Sequence, residues 1–120
     1  MLRNVLNAAP KAEPHIAIYE NYLVLNNPAM ELLGLQGGGS VSVMQDDRDG
    51  YIYIANNPDA KVSYKVRLKQ NRGEVSNAGL CRKLRDLMEG KGTYRVCSEE
   101  SVEYMGHMYY NIFAKKYGKD

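Results

Sequence analysis

Hydrophobic and polar positions alternate in short runs along most of this chain, a spacing that puts every second side chain on one face of a β-strand. His15-Ile16-Ala17-Ile18-Tyr19 places Ile16 and Ile18 together, and Tyr22-Leu23-Val24-Leu25 returns after a tight Glu20-Asn21 turn. Runs joined so closely predict a hairpin. Val41-Ser42-Val43-Met44 and Tyr51-Ile52-Tyr53-Ile54 predict a second hairpin around Asp46-Asp47-Arg48-Asp49-Gly50, with Asp49-Gly50 as the turn signal. Val62, Tyr64, Val66 and Leu68 alternate with Ser63, Lys65, Arg67 and Lys69, the best-marked strand in the sequence. Gln70-Asn71-Arg72-Gly73 is its turn and Glu74-Val75-Ser76 a short return strand. Residues 93–97 and 108–113 predict a closing hairpin around a Ser/Glu-rich loop.

Two stretches change period. In Asn26-Asn27-Pro28-Ala29-Met30-Glu31-Leu32-Leu33-Gly34, Asn27 is suited to cap a helix, Pro28 to its first position and Gly34 to its end. That helix has about two turns and is too short to stand alone; Met30, Leu33 and Leu35 are expected to hold it on the sheet. Residues 78–89 carry Leu80, Leu84, Leu87 and Met88 at helical spacing after an Asn77 cap. The expected class is therefore mostly β with two short helices (α+β), and the order strand, strand, helix, strand, strand occurs twice. Residues 1–14 read as an N-terminal arm, 15–57 as a first ββαββ half and 58–120 as a second. Asn56-Asn57-Pro58-Asp59 is the joint, and the whole makes one domain.

Charge separates the halves. Residues 1–60 hold three basic side chains against seven acidic ones, and residues 61–120 hold thirteen against seven. The second half thus suits a polyanion. Ten Tyr with one Phe and no Trp fit half-buried strand positions, where the ring packs and the hydroxyl stays wet. No run approaches the roughly 20 apolar residues of a membrane helix, and the first residues lack a secretory apolar core. A cytoplasmic protein with reduced Cys81 and Cys97 is expected.

The segment from Ile16 to Leu35 (Ile-Ala-Ile-Tyr-Glu-Asn-Tyr-Leu-Val-Leu-Asn-Asn-Pro-Ala-Met-Glu-Leu-Leu-Gly-Leu), followed by Gly39-Ser-Val-Ser-Val, resembles the AbrB/MazE family of swapped-hairpin DNA-binding domains. The resemblance covers about residues 15–55 and extends over 61–116 by element order. It implies an interlaced barrel normally made by two ββαββ chains, here supplied by one chain as a fused pseudo-dimer. The chain departs from the family where Asn-Asn-Pro and Asn-Ala replace the expected Pro before each helix.

The resemblance also implies basic residues on the first hairpin and at the helix start. The first half has none from 12 to 47 and offers Glu20, Asn21, Tyr22 and Glu31 there. The second half has Lys65, Arg67 and Lys69 on one strand face, Arg72 in the turn, and Arg82, Lys83 and Arg85 on the helix, with Arg82 and Arg85 sharing a face. These seven are the candidate DNA contacts. The competing reading is that alternate lysines keep an outward strand soluble and protect an edge.

Other chemistry is sparse. His15, His107, Cys81 and Cys97 lack the close pairing of a zinc site, so no metal is expected. Asp46-Asp47-Arg48-Asp49-Gly50 lacks the distal Glu of a calcium loop, and Gly37-Gly38-Gly39 lacks the Lys-Ser/Thr of a phosphate loop. The tyrosines at 19, 51, 53, 64, 94, 109 and 110 could stack on bases or pack across strands. With no clustered acid, base or nucleophile, neither an enzyme nor a cofactor is expected. The expected function is a DNA-binding transcriptional regulator or antitoxin-like module using double-stranded DNA. The alternative is a protein-interaction or assembly module, acting on a partner or on itself, that kept the barrel and lost DNA.

Overall fold

The computed structural model describes residues 13–116. Eight strands and two helices follow in the order β1 (His15–Ile18), β2 (Tyr22–Asn26), α1 (Asn27–Leu33), β3 (Gly39–Gln45), β4 (Ile52–Asn56), β5 (Tyr64–Lys69), β6 (Arg72–Ser76), α2 (Ala78–Leu87), β7 (Gly92–Tyr104) and β8 (His107–Lys116). The strands close into an antiparallel barrel with the order β1-β2-β6-β5-β3-β4-β8-β7. Hydrogen-bonded hairpins drawn from β1–β4 and from β5–β8 therefore alternate around it. Closure removes the sheet edges except where β7 and β8 run on beyond β1 and β4 as a two-stranded hairpin.

The alternation read from sequence is the inside-outside pattern of this barrel except on β5, which begins at Tyr64 rather than Val62 and buries only Val66, leaving Val62 and Leu68 exposed. Ile16, Ile18, Leu23, Leu25, Val41, Ile54, Val66, Val75 and Val96 point inward and are almost fully buried. Each buried Leu or Ile contributes about 1.5–3 kcal/mol relative to exposure. Met30, Leu33 and Leu35 bury against the sheet, which holds the short α1. Gly34 ends α1 at φ 68, where its own N–H donates to Glu31 O and the Leu35 N–H donates to Met30 O.

Several expectations need correction. The cap of α1 is Asn26, one residue before the expected Asn27, and its Oδ1 accepts from Ala29 N at 3.0 Å. The same oxygen accepts from His15 N at 3.0 Å, so the residue ties β1 to the helix. β6 begins at Arg72, so the turn before it is tighter than expected, with Asn71 at φ 60. Residues 98–104 are strand, because β7 and β8 stay paired out to Tyr104↔His107 where a Ser/Glu-rich loop was expected. A register shift between Cys97 and Ser101 bends this long hairpin. α2 stops at Leu87, whose side chain is exposed, because the helix buries only Leu80, Cys81 and Leu84.

Of the expected N-terminal arm, residues 1–12 lie outside the described residues. Its last two residues are attached: Glu13 pairs with Arg95 at 2.7 Å and Pro14 O accepts from Val96 N at 3.0 Å. Among the described residues, no helix is long and apolar enough to cross a membrane.

Candidate nucleic-acid interface

The seven candidate residues divide into two groups. On β5, Val66 points inward, so Lys65, Arg67 and Lys69 share the outer face and are all exposed. The register sets Arg67 opposite Glu74 and Lys69 opposite Arg72. Gly73 and Val75 point inward on β6, so Arg72 and Glu74 face outward beside the β5 cations. Arg72 reaches Glu74 at 3.4 Å. The single carboxylate leaves this strand face strongly cationic, and the Lys69–Arg72 opposition is a like-charge pair of the kind that destabilises a bare sheet by some tenths of a kcal/mol.

The second group lies on α2. Asn77 caps it by accepting from Leu80 N at 2.8 Å. Arg82 and Lys83 are exposed and line a shallow depression with Gly79, Asp86 and Leu87. Arg85, expected to act alongside Arg82, does something else. Its Nη1 donates to Tyr19 O and Glu20 O, each at 2.8 Å, and so holds the β1–β2 turn.

Lys69 and Arg72 lie away from the start of α2. In the β2–β6 ladder, Tyr22 pairs with Ser76 and Asn26 pairs with Arg72. The β1–β2 turn and the start of α2 therefore lie at one end of this ribbon, and the cationic β5–β6 turn lies at the other.

Sequence reasoning missed two features. Tyr19 and Tyr22 stack across the β1–β2 turn, with ring centroids 4.9 Å apart and planes at 26°. The sequence places Tyr22 at the start of a strand and among the non-basic residues of the first hairpin, but nothing local says that two rings flanking a turn will meet. The second feature is a cleft of about 660 Å³ between the β4–β5 connection and the bent β7–β8 hairpin, lined by Met44, Lys61, Val62, Tyr104 and His107 among others. Its floor is a buried chain in which Asn57 Nδ2 donates to the Tyr109 hydroxyl at 3.1 Å and that hydroxyl donates to Ser42 Oγ at 3.0 Å. The sequence places Asn57 in the joint between the halves. Its partners lie far away in sequence, which hides the cluster.

The acidic β3–β4 turn is self-contained. Asp46 accepts from Arg48 N at 2.8 Å and pairs with its guanidinium at 3.4 Å, and the Arg48 amide and guanidinium hold the Asp46 carboxyl below the usual range. Asp49 accepts from Tyr51 N at 2.9 Å. Burial, then Asp49 and Asp46, push the Tyr53 hydroxyl up. Among the described residues, no group of three or more His, Cys, Asp or Glu could hold a metal ion. Cys81 and Cys97 are free thiols, both buried. No protein-family model, curated protein or solved structure matches the chain.

Proposed function

We propose that this chain is a DNA-binding regulatory or antitoxin-like module, built on an AbrB/MazE-like barrel in which one chain supplies both copies. The hydrogen-bond register supports the doubling. Ala17↔Val24 and Ile18↔Leu23 fill the same places in the first hairpin as Arg67↔Glu74 and Leu68↔Gly73 in its counterpart. His15↔Arg95 and Ile16↔Tyr94 likewise match Lys65↔Ser40 and Val66↔Gly39. Val41↔Asn56 and Ser42↔Ala55 match Val96↔Ile112 and Cys97↔Asn111. Under the same exchange, Val24↔Glu74 and Ile54↔Tyr110 map onto themselves. Such pairs are what a two-fold axis leaves where it crosses a sheet.

The observation that carries the DNA reading is the outward cluster of Lys65, Arg67, Lys69 and Arg72 on β5–β6. Its counterparts on β1–β2 are His15, Ala17, Tyr19 and Tyr22, so contact is one-sided. Phosphate contacts of this kind set affinity and salt sensitivity rather than sequence preference. Arg82 and Lys83 provide a second, separate cationic point, and Arg85 positions the adjacent turn.

Fluorescence anisotropy with a labelled duplex and with its single strand, at about 50 and 200 mM salt, tests this reading. Four phosphate contacts predict a log-log salt slope of about −3 to −4, which Arg67→Ala with Arg72→Ala reduces by about 2. No binding of either form at low salt, or an unchanged slope in the variant, overturns it. The assembly reading has one observation of its own: Val102, Tyr104, Met105 and Met108 are exposed on the β7–β8 hairpin, a set of apolar side chains suited to a protein partner.

A further inference from the structure

The matching registers of the two first hairpins expose a substitution of chemistry. Where β5–β6 carries the Lys69–Arg72 pair, β1–β2 carries Tyr19 and Tyr22. These rings stack on one another yet stay 43% and 38% exposed. An exposed aromatic pair is not a core device, and its backbone is fixed. Tyr19 N donates to Tyr22 O at 2.9 Å to close the turn, while Arg85 holds the Tyr19 and Glu20 carbonyls from α2. Exposed Arg82 and Lys83 lie on the same helix.

Tyr22 and Arg72 face outward from the two ends of one ribbon, the ladder from Tyr22↔Ser76 to Asn26↔Arg72. At about 3.4 Å per residue the ribbon spans roughly 14 Å. That is the length of about four stacked nucleotides of one strand. A fixed aromatic platform joined to a cationic track is the chemistry that holds unpaired bases and their backbone. A base in the interior of a duplex keeps both its faces inside the stack and has none to offer these rings.

We infer that the preferred ligand of this face is a single-stranded nucleic acid, with a base stacked on the Tyr19–Tyr22 pair and the backbone running to Lys65, Arg67, Lys69 and Arg72. This inference rests on the nucleic-acid reading above and names the form of ligand it leaves open.

The test compares a single-stranded oligothymidylate with a fully paired duplex of the same phosphate count, each at about 50 and 200 mM salt, using the full chain. Three proteins are compared: the unaltered chain, Tyr19→Ala with Tyr22→Ala, and Tyr19→Phe with Tyr22→Phe. The single strand is expected to bind about tenfold or more tightly than the duplex. The alanine variant is expected to lose about ten- to a hundredfold of the single-strand affinity while its duplex affinity and salt slope stay unchanged. The phenylalanine variant, which keeps the rings, is expected to retain binding. Equal or tighter duplex binding, or an alanine variant with undiminished single-strand affinity, overturns the inference and leaves the DNA reading standing. Absence of binding to both forms overturns both.

Discussion

At the scale of single residues, the barrel shows how bulk moves between elements. Gly73 occupies the place on β6 that buried Leu23 holds on β2. A Cβ at Gly73 would meet Met30 Sδ at 2.6 Å and Val66 Cγ1 at 2.7 Å. The Met30 side chain thus fills the space that a side chain on residue 73 would need. Counted from the two capping asparagines, Met30 corresponds to Cys81, so the first half carries large residues at both places (Leu23 and Met30), the second half small ones (Gly73 and Cys81), and bulk is traded across the halves. Gly73→Ala should cost about 1–3 kcal/mol through overpacking. Met30→Ala alone should cost about 2–5 kcal/mol through the cavity it leaves. In urea denaturation the double variant should lose clearly less than the two single losses combined; strict additivity would refute this account of the contact. None of it was legible beforehand. Gly73 read as a turn residue because its neighbours Met30 and Val66 come from other elements, and only tertiary packing gives it another reason to be glycine.

At the scale of elements, the sequence revealed what is periodic and hid what is long-range. Most strand positions followed from alternation such as that at Ile16/Ile18, and the start of α2 followed from its Asn77 cap, whereas the α1 cap lies one residue before Asn27 and β5 starts two residues after Val62. The extent of β7 was hidden because Ser98-Glu99-Glu100-Ser101 has no apolar alternation, and its pairing with β8 is set by the tight turn at Met105-Gly106 (φ 54 and 83). The cationic strand face was legible from β5 alone; its separation from Arg82 and Lys83 was not, since that depends on how β2 pairs with β6. Docking of α2 yields a pH prediction. Its inward residues are Leu80, Cys81 and Leu84, and burial pushes the Cys81 thiol up, a shift that Arg85 only partly opposes. A raised folded-state value means that stability is fully present below the ordinary thiol value of 9.0 and is lost as pH rises through the raised one. Burial raises the Tyr94 hydroxyl in the same direction. The thermal midpoint should therefore fall above about pH 9, and Cys81→Ala should flatten that fall. An identical alkaline slope in the variant would show that the thiol plays no part.

At the scale of the whole molecule, the strand order decides what can fold alone. The β1–β2 hairpin has β7 on one side and β6 on the other, and the β3–β4 hairpin lies between β5 and β8. Neither hairpin of residues 15–57 touches the other in the sheet, so every sheet contact between hairpins needs residues 58–116. A fragment ending at residue 57 would leave Ile16, Leu23, Val41 and Ile54 without facing strands, and its unpaired edges would be open to water or to aggregation. The barrel is therefore one cooperative unit, although its element order looks like two. Fragments 1–57 and 58–120, expressed separately, should each lack a cooperative thermal transition as monomers, and mixing them should restore one, read by near-ultraviolet circular dichroism from the buried Tyr94 and Tyr109. A first-half fragment that pairs with a second copy of itself is compatible with the proposed pseudo-dimer, because β1–β2 would then meet an equivalent β2 where β6 now lies; sedimentation separates that outcome from true monomeric folding. A monomeric fragment that unfolds cooperatively would refute the interdependence, because the strand order gives its two hairpins no sheet contact with each other through which to cooperate.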